Sequence, residues 1–242
     1  MKIDNKGFKI FVDFDGTITR KDVGEEMFLT FGNPEKAHSI IKQWLNKEIT
    51  SIQTWQYLCE TVVDLNMKDF DEFIDKMEID PYFLEFVDFC NSNGHEIRIL
   101  SDGLDYYIER ILKNFNIQHI EHYTNKVKFG ANNKLICEFP YTDEECNLCA
   151  NCKRNHILEN SADDDFTVYI GDGWSDTCAA QYCDVIFAKR SLLKFCEKNR
   201  ISYFPFTNFK DVIKRLEDLG KKKRLKKRHQ AFLKRREVYM QG

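Results

Sequence analysis

Short apolar runs alternate with longer amphipathic stretches along this chain of 242 residues. The apolar runs are β-prone and read as buried strands; they cover 10–12, 95–100, 166–170 and 184–188. Between them, apolar residues recur at helical spacing. These helical stretches are 22–31, 33–46, 51–65, 69–77, 81–93, 104–115, 191–199 and 208–219. Strands that alternate with helices predict an α/β fold with a doubly wound parallel sheet.

Five of the predicted helices lie between the first strand and the second, and the first four of them precede residue 80. We therefore predict a helical cap, residues 20–79, inserted after the first strand. The α/β core is predicted to comprise 1–19 and 80–220. Within that core, alternating apolar and polar residues at 125–140 predict a β-hairpin.

Charge is unevenly distributed along the chain. The formal net charge is −3, but residues 221–242 carry ten Lys or Arg and one acid, and the remainder carries 26 basic and 38 acidic residues. We predict that this basic C-terminal tail is extended and solvated, and that it could contact anionic partners. No apolar run approaches the roughly 20 residues that span a bilayer, and the N-terminus lacks a signal-peptide pattern, so a cytoplasmic protein is expected.

The first strand ends at two aspartates, Asp13 and Asp15, separated by one residue. Strand side chains alternate between faces, so the two carboxylates point the same way if the strand persists. Such a pair repels unless a cation or a shared proton lies between the groups. Gly16 and Thr17 follow, and a turn with a hydroxyl and N–H groups can meet an anion. We interpret this segment as a site for a hard metal and a phosphate; the alternative is an ordinary Asp-Gly turn.

The chain contains nine cysteines, and an odd number without a secretory signal favours reduced thiols over a disulfide framework. Four residues have spacing suited to a structural Zn²⁺ site: Cys146, Cys149, Cys152 and His156. A Cys₃His set is a tetrahedral zinc set, although such sites usually draw ligands in separated pairs. The alternative is three reduced thiols that pack a loop.

Polar clusters follow three predicted strands, and strand ends distant in sequence meet at one edge of a doubly wound sheet. With Lys153, these clusters resemble the four motifs of the haloacid dehalogenase (HAD) superfamily of phosphatases. The matching residues are Asp13-Phe14-Asp15-Gly16-Thr17, Ser101, Lys153, and Gly171-Asp172 with Asp176. The chain is most similar to the branch that contains phosphoserine phosphatase. Within it, the resemblance extends to phosphatases of methionine salvage and of phosphoethanolamine and phosphocholine.

The resemblance implies a role for each matching residue. Asp13 is the expected nucleophile that forms an aspartyl-phosphate, and Asp15 the expected general acid and base. Ser101 and Lys153 are expected to be catalytic and to bind phosphate. The rest of the predicted phosphate site is Gly16, Thr17, Asp102 and Gly103. The predicted Mg²⁺ ligands are Asp13, Asp15, Asp172 and Asp176, with a supporting role beside the metal left open for Asp176.

The sequence therefore predicts a Mg²⁺-dependent hydrolase that removes phosphate from a small phosphorylated metabolite. Phosphotransfer to an acceptor alcohol through the same intermediate is an alternative that the motifs do not separate. A second alternative is a protein that binds nucleic acid or a membrane surface through its basic tail.

Overall fold

The computed structural model describes residues 7–144, 146 and 148–241. The strands are β1 (Lys9–Val12), β2 (Glu96–Leu104), β3 (Glu121–Phe129), β4 (Leu135–Glu138), β5 (Thr167–Gly171), β6 (Val185–Ala188) and β7 (Phe204–Pro205). The first five helices are α1 (Val23–Phe31), α2 (Pro34–Leu45), α3 (Ser51–Glu60), α4 (Met67–Asp75) and α5 (Phe83–Ser92). The others are α6 (Asp105–Asn114), α7 (Lys153–Glu159), α8 (Arg190–Lys198), α9 (Phe209–Gly220) and α10 (His229–Gln241).

The described residues form two compact units. The first unit contains the described residues up to Asp13, then Ile79–Leu100, then those from Lys153 onward. Its strands pair in parallel in the order β2-β1-β5-β6-β7. In the register of the central strands, Ile10 lies opposite Ile97 on one side and Val168 on the other. β1 and β5 are almost wholly buried, as expected for parallel strands covered on both faces.

Helices α5 and α9 of the first unit meet through three aromatic rings. Phe83 and Phe86 lie three residues apart, so they share one face of α5. Their ring centroids lie 4.8 and 4.9 Å from that of Phe209 in α9, and all three side chains are fully buried. Such contacts between fully buried rings are a principal source of helix packing energy.

The second unit contains Phe14–Glu78 and Ser101–Cys152. Helices α1 to α4 make up its first part, and α4 contacts α6 through polar side chains. Arg110 donates two hydrogen bonds of 2.7 Å to Asp75, and the Tyr106 hydroxyl donates to Asp71 at 2.7 Å. These contacts group residues 101–152 with the helices of 20–79, whereas the predicted division placed 101–152 in the core.

Helix starts in the second unit are set locally. Asp22 accepts the N–H of Glu25 at the start of α1, and Asn66 accepts two N–H groups at the start of α4. Thr50 begins α3 with a capping box. Such caps satisfy N–H groups that have no partner within the helix, so these starts can be predicted from sequence.

The predicted fold class is confirmed: the structure is α/β, the sheet is mostly parallel, and helices separate β1 from β2. The predicted hairpin is present as antiparallel β3 and β4, although β3 begins earlier, at Glu121. β7 was not predicted. Among residues 7–144, 146 and 148–241, no helix combines the length and the apolar character that a membrane span requires.

The prediction of an extended, solvated tail is wrong for residues 229–241, whereas residues 221–224 and 226 are exposed and lie outside any helix. Residues 229–241 form α10, and the Arg235 side chain is buried. Arg235 donates to the carbonyl oxygen of Tyr182 at 2.8 Å, and Arg228 donates to those of Ala180 and Gln181 at 2.9 and 2.6 Å. These carbonyls end a short helical turn, Ala179–Tyr182, where a cation is favoured by the aligned peptide dipoles. That attraction outweighs the repulsion among like charges in the tail.

Candidate active site

Asp13 follows the last residue of β1, and a tight turn comes directly after it. Its backbone N–H donates to the carbonyl oxygen of Ile170 at 2.9 Å, which extends the pairing of β1 with β5 by one residue. In the turn, Gly16 has φ of 73°, a conformation that glycine adopts without strain. The Gly16 N–H donates to Lys21 O and to Thr19 Oγ1, both at 3.1 Å. This N–H, predicted to bind phosphate, therefore closes the turn in this structure.

Three carboxylates of the first unit form the candidate metal site, here called the three-carboxylate cluster: Asp13, Asp172 and Asp176. One oxygen of each lies within 4.8 Å of the others, and all three side chains are buried. Across the described ranges 7–144, 146 and 148–241, this is the one group of His, Cys, Asp or Glu residues with ligand atoms so close together. The structure thus brings together three of the four predicted Mg²⁺ ligands. The fourth, Asp15, belongs to the second unit.

Lys153 begins α7 and reaches the same cluster. Its Nζ lies 2.6 Å from Asp13 Oδ1 and 2.8 Å from Asp176 Oδ1. The lysine side chain is only 2% exposed, so water screens these ion pairs weakly. The sequence motif alone did not reveal that one ammonium group would bridge two of the carboxylates.

Asp176 accepts hydrogen bonds on both of its carboxylate oxygens. Besides Lys153, the Tyr169 hydroxyl donates to Oδ1 at 2.6 Å, and the backbone N–H groups of Asp172 and Gly173 donate to Oδ2 at 3.0 and 2.9 Å. With four donors on two oxygens, Asp176 fixes the loop after β5 and orients Lys153. These contacts favour the supporting role that the sequence left open for Asp176.

The charges of the cluster suit a cation. Burial raises the pKa of Asp13 well above its usual range, the neighbouring Asp176 raises it further, and Lys153 opposes both effects. The exposed Arg190 side chain donates to Asp172 Oδ2 at 3.0 Å. Three carboxylates thus lie close together in a buried place, where their negative charges repel one another. Closely spaced carboxylate oxygens are the ligands that Mg²⁺ prefers, so the donor set fits this metal.

Asp15 occupies a polar environment of its own in the second unit. Its Oδ1 accepts the N–H of Val23 at 3.0 Å, and its Oδ2 accepts the hydroxyls of Tyr107 at 2.8 Å and Ser101 at 3.2 Å. Burial, and then the charge of Asp22, raise the pKa of Asp15 to about 7, although the three donors lower it. A carboxyl group that titrates near neutral pH can both give and take a proton.

Gly103 allows this arrangement. A Cβ atom at position 103 would lie 1.9 Å from the Tyr107 hydroxyl and 2.6 Å from Asp15 Oδ2, closer than non-bonded atoms approach. The Gly103 N–H donates to Ser101 Oγ at 2.9 Å, so it orients the serine hydroxyl. The phosphate-binding roles of Ser101 and Gly103 stay predictions.

Asp102 makes contacts that differ from its predicted role. Its carboxylate accepts the Ser51 hydroxyl at 2.7 Å and the N–H of Asn151 at 2.9 Å. The Asn151 amide in turn donates to the carbonyl oxygen of Ser101 at 2.8 Å. The Asp102 side chain therefore ties the end of β2 to the first residue of α3 and to the loop before α7. Thr17, also predicted to bind phosphate, is buried.

The structure does not support the predicted zinc site. The structure describes all four predicted ligands, and no three of their ligand atoms lie within 4.8 Å of one another. These ligands are Cys146, Cys149, Cys152 and His156. Cys146 and Cys149 are partly exposed, and Cys152 is buried. Close spacing in sequence keeps four residues near one another along the chain, but it does not make their ligand atoms converge on one point.

Sequence reasoning missed two tyrosines and an arginine: Tyr107, Tyr169 and Arg190. Tyr169 lies two residues before Gly171 on β5, so the two residues lie on the same face of the strand. Because Gly171 begins the fourth motif, this alternation could have predicted that Tyr169 lies beside the motif. Tyr107 lies in the first turns of α6, soon after Gly103, but nothing in its sequence neighbourhood singles it out from the core aromatics. Arg190 follows β6 and carries no motif.

The sequence of this chain is similar to those of proteins described as phosphatases. The model of the family described as Putative Phosphatase matches residues 8–202. A relative from Bacillus mycoides (strain KBAB4), described as 2-hydroxy-3-keto-5-methylthiopentenyl-1-phosphate phosphatase, is 34% identical over 215 residues, which are 87% of this chain and 96% of the relative. The resemblance inferred from the sequence motifs is confirmed.

Solved structures share the fold at lower identity. A HAD family hydrolase from Salmonella enterica serovar Typhi is 15% identical, with a TM-score of 0.68 over 84% of this chain and 69% of that one. A phosphoserine phosphatase from T. onnurineus is 16% identical, with a TM-score of 0.65 over 90% of this chain and 98% of that one. At these identities the likeness establishes the HAD fold alone.

Proposed function

This chain belongs to the Putative Phosphatase family, and from that premise we propose that it is a Mg²⁺-dependent phosphomonoesterase that works through an aspartyl-phosphate on Asp13. The observation that carries the proposal is the buried three-carboxylate cluster with Lys153 bonded to Asp13. A group of this kind is costly to fold unless a cation offsets its charge. Phosphoryl transfer from a dianionic monoester requires such a concentration of compensating charge.

Asp13 is the proposed nucleophile because its carboxylate is held and oriented before substrate arrives. The bond to the backbone of Ile170 fixes its main chain, and the ammonium of Lys153 fixes Oδ1. Attack by an Asp13 oxygen on phosphorus forms the acyl phosphate and breaks the bond to the leaving alcohol. Lys153 lowers the pKa of Asp13, which favours the ionised nucleophile, and offsets charge on the phosphoryl group as it transfers.

Mg²⁺ would be held by Asp13 and Asp172, with Asp176 orienting its neighbours through the four donors that it accepts. When bound, the ion supplies charge neutralisation for the phosphate oxygens. Asp172 is in turn oriented by Arg190. This arrangement keeps two of the four predicted metal ligands, gives Asp176 a supporting role and assigns Asp15 a separate role.

Asp15 is the proposed general acid and base. In the first step it gives a proton to the leaving alcohol, and in the second it takes a proton from the water that hydrolyses the acyl phosphate. Its pKa of about 7 suits both directions. Tyr107, Ser101 and the N–H of Val23 hold the two oxygens in place, so the carboxyl keeps one orientation through the cycle.

The proposed substrate class is a small 1-phosphate ester that carries an apolar thioether chain. The support is the substrate named for the Bacillus mycoides relative, which shares 34% identity over 87% of this chain. Two apolar side chains of α1, Met27 and Phe28, are proposed to contact this thioether chain, and both are buried.

The decisive experiment combines a substrate screen with one substitution. Phosphate release is measured with 2-hydroxy-3-keto-5-methylthiopentenyl-1-phosphate, phosphoserine, phosphoethanolamine and phosphocholine, with and without Mg²⁺. Asp13→Asn should lower kcat more than tenfold, which is more than about 1.4 kcal/mol in the barrier. Asp88→Asn, an exposed aspartate of α5, is the matched control and should retain full activity.

Two outcomes would contradict the proposal. The first is an Asp13→Asn variant that keeps more than a tenth of the wild-type rate. The second is full activity of the wild type after Mg²⁺ has been removed by a chelator. Phosphotransfer is tested in the same assay: a phosphorylated acceptor alcohol, formed in place of free phosphate, would identify a transferase with the same intermediate.

A further inference from the structure

Helix α10 has a docked side and an exposed side. On the docked side, Ala231 and Arg235 are buried against the rest of the first unit. Arg235 donates to Tyr182 O at 2.8 Å, to Ser161 Oγ at 3.1 Å and to Thr167 Oγ1 at 3.3 Å. These bonds hold α10 in place through one side and leave the other side unused by the proposed catalytic residues.

The exposed side carries four large apolar residues. Their exposed fractions are 39% for Phe232, 45% for Leu233, 54% for Tyr239 and 75% for Met240. At about 100° per residue, these four positions fall within one third of the helix circumference, with Arg236 among them. Single exposed apolar residues are ordinary on a protein surface, whereas four large ones on one side of a 13-residue helix are unusual.

A run of exposed basic residues leads directly into this helix. Its members are Lys221, Lys222, Lys223, Arg224 and Lys226. No acidic residue lies between 221 and 236. By contrast, Lys227 and Arg228 are engaged with backbone carbonyl groups of the first unit, among them Asp165 O and Cys183 O. The anchoring cations are thus distinct from the exposed ones.

We propose that the exposed side of α10, together with the basic run 221–226, is a docking surface for an anionic lipid bilayer. We call it the tail surface. An interfacial helix binds a bilayer by placing aromatic and aliphatic side chains at the headgroup boundary while adjacent Lys and Arg meet anionic headgroups. Phe232, Leu233, Tyr239 and Met240 supply the first part, and the basic run supplies the second. This surface is separate from the proposed phosphatase chemistry.

The same residues fit a nucleic acid or a second copy of the chain less well. Single-stranded nucleic acids bind by stacking bases on aromatic rings, and the aliphatic Leu233 and Met240 offer no stacking plane. A helix as short as α10 presents an exposed strip of about 200 Å², estimated from helix length and width. A stable protein interface needs about 800 Å² from each partner.

The anchoring of α10 through Arg235 also favours binding to a bilayer. Many interfacial helices fold only when they reach the membrane, and this ordering consumes part of the binding free energy. Here the helix is already formed and its apolar side already faces outward. The tail surface is therefore preorganised, and binding need not order the chain.

The test is sedimentation of the 242-residue chain with two kinds of vesicle: phosphatidylcholine alone, and phosphatidylcholine mixed with phosphatidylserine. Binding is expected to the mixed vesicles and to weaken as salt is raised. The double variant Lys222→Glu with Lys223→Glu should have a Kd for the mixed vesicles at least about thirtyfold higher than the wild type. Leu233→Ser with Met240→Ser should raise this Kd about tenfold. All four positions are exposed, and Arg228 and Arg235 stay in place.

Matched control variants show whether a loss of vesicle binding is specific to the tail surface or follows from any change in net charge or exposed apolar area. Lys194→Glu with Lys198→Glu makes the same change in net charge on α8, and Leu84→Ser removes a comparably exposed leucine, 41% exposed, on α5. Neither control should change vesicle binding by more than about twofold. Phosphate release from a small substrate should be unchanged in every variant, so a failure of the proposed enzymatic function leaves this test intact.

Three results would overturn the proposal. The first is a lack of binding to mixed vesicles at low salt. The second is vesicle binding that is weakened by Lys222→Glu with Lys223→Glu but not by Leu233→Ser with Met240→Ser. If the protein also binds single-stranded RNA as tightly as the mixed vesicles, the tail surface is a nucleic-acid surface. The third is a dimer in sedimentation equilibrium that the Leu233 and Met240 pair dissociates, which would identify a second copy as the occupant.

Discussion

Replacing Lys153 with methionine tests how the candidate site is held together. Methionine keeps most of the length of the side chain but removes the ammonium group. That group lies 2.6 Å from Asp13 Oδ1 and 2.8 Å from Asp176 Oδ1, and the lysine side chain is 2% exposed. The variant therefore leaves the three-carboxylate cluster without its buried cation.

The expected loss follows from burial. Removal of one partner from a buried ion pair costs about 3–5 kcal/mol because the remaining charge is buried without compensation. Lys153 serves two carboxylates, but a carboxyl with a raised pKa, such as Asp13, can take up a proton and limit the loss. We therefore expect a decrease of about 3–5 kcal/mol in the free energy of unfolding, a large part of the 5–15 kcal/mol that is usual for a folded domain.

Urea unfolding in metal-free buffer measures this loss, and repetition with Mg²⁺ tests its electrostatic origin. Mg²⁺ should stabilise Lys153→Met more than the wild type, because the ion offsets charge that the lysine no longer offsets. The variant should also lose kcat by more than about a hundredfold. Lys194→Met, an exposed lysine of α8, is the control and should change stability by less than about 0.5 kcal/mol. A loss below about 1 kcal/mol for Lys153→Met without metal would refute the reasoning.

Three further substitutions test other contacts. Tyr107→Phe removes a 2.8 Å hydrogen bond to the Asp15 carboxylate, so kcat for phosphate release should fall about tenfold to a hundredfold with the fold intact. Arg235→Met leaves three buried acceptors in the first unit without their donor, so urea unfolding should show a loss of about 3 kcal/mol. His95→Gln concerns pH: burial lowers the pKa of His95, so the unfolded chain binds more protons and stability should fall as pH drops below 6.5. Urea unfolding between pH 7.5 and 5 should show that the free energy of unfolding falls less steeply for the variant than for the wild type. The difference in slope should be up to about 1.4 kcal/mol per pH unit.

Each of these three expectations has its own opposing result. Unchanged kcat in Tyr107→Phe would mean that the hydroxyl does not help to hold Asp15. Equal stability of Arg235→Met and the exposed control Arg236→Met would mean that α10 is not anchored through Arg235. If the free energy of unfolding falls equally steeply with pH for His95→Gln and the wild type, His95 does not gain a proton on unfolding. In the folded protein, Nδ1 of His95 accepts a 3.2 Å hydrogen bond from the Phe8 N–H.

The sequence by itself determined the fold class, most helix and strand positions, and the residues of the three-carboxylate cluster. The physical reason is that these features depend on local patterns. Apolar runs with β-prone residues predict β1 and β5, and side-chain caps such as Asp22 and Asn66 mark helix starts. Parallel strands carry their carboxyl ends to the same edge of a sheet, which brings Asp13 and Asp172 together once the strand order is known.

Only the tertiary structure decided how the candidate residues are supported. Tyr107 and Asp15 are 92 residues apart, and Arg235 and Tyr182 are 53 apart, yet each pair forms a direct hydrogen bond. No periodicity or spacing encodes such a pair, because it depends on packing between elements distant in the chain. The tail illustrates the difference most clearly. Its charge alone favoured an extended chain, whereas backbone carbonyls at the end of the Ala179–Tyr182 turn provide acceptors for Arg228 and Arg235 that exist only in the folded protein.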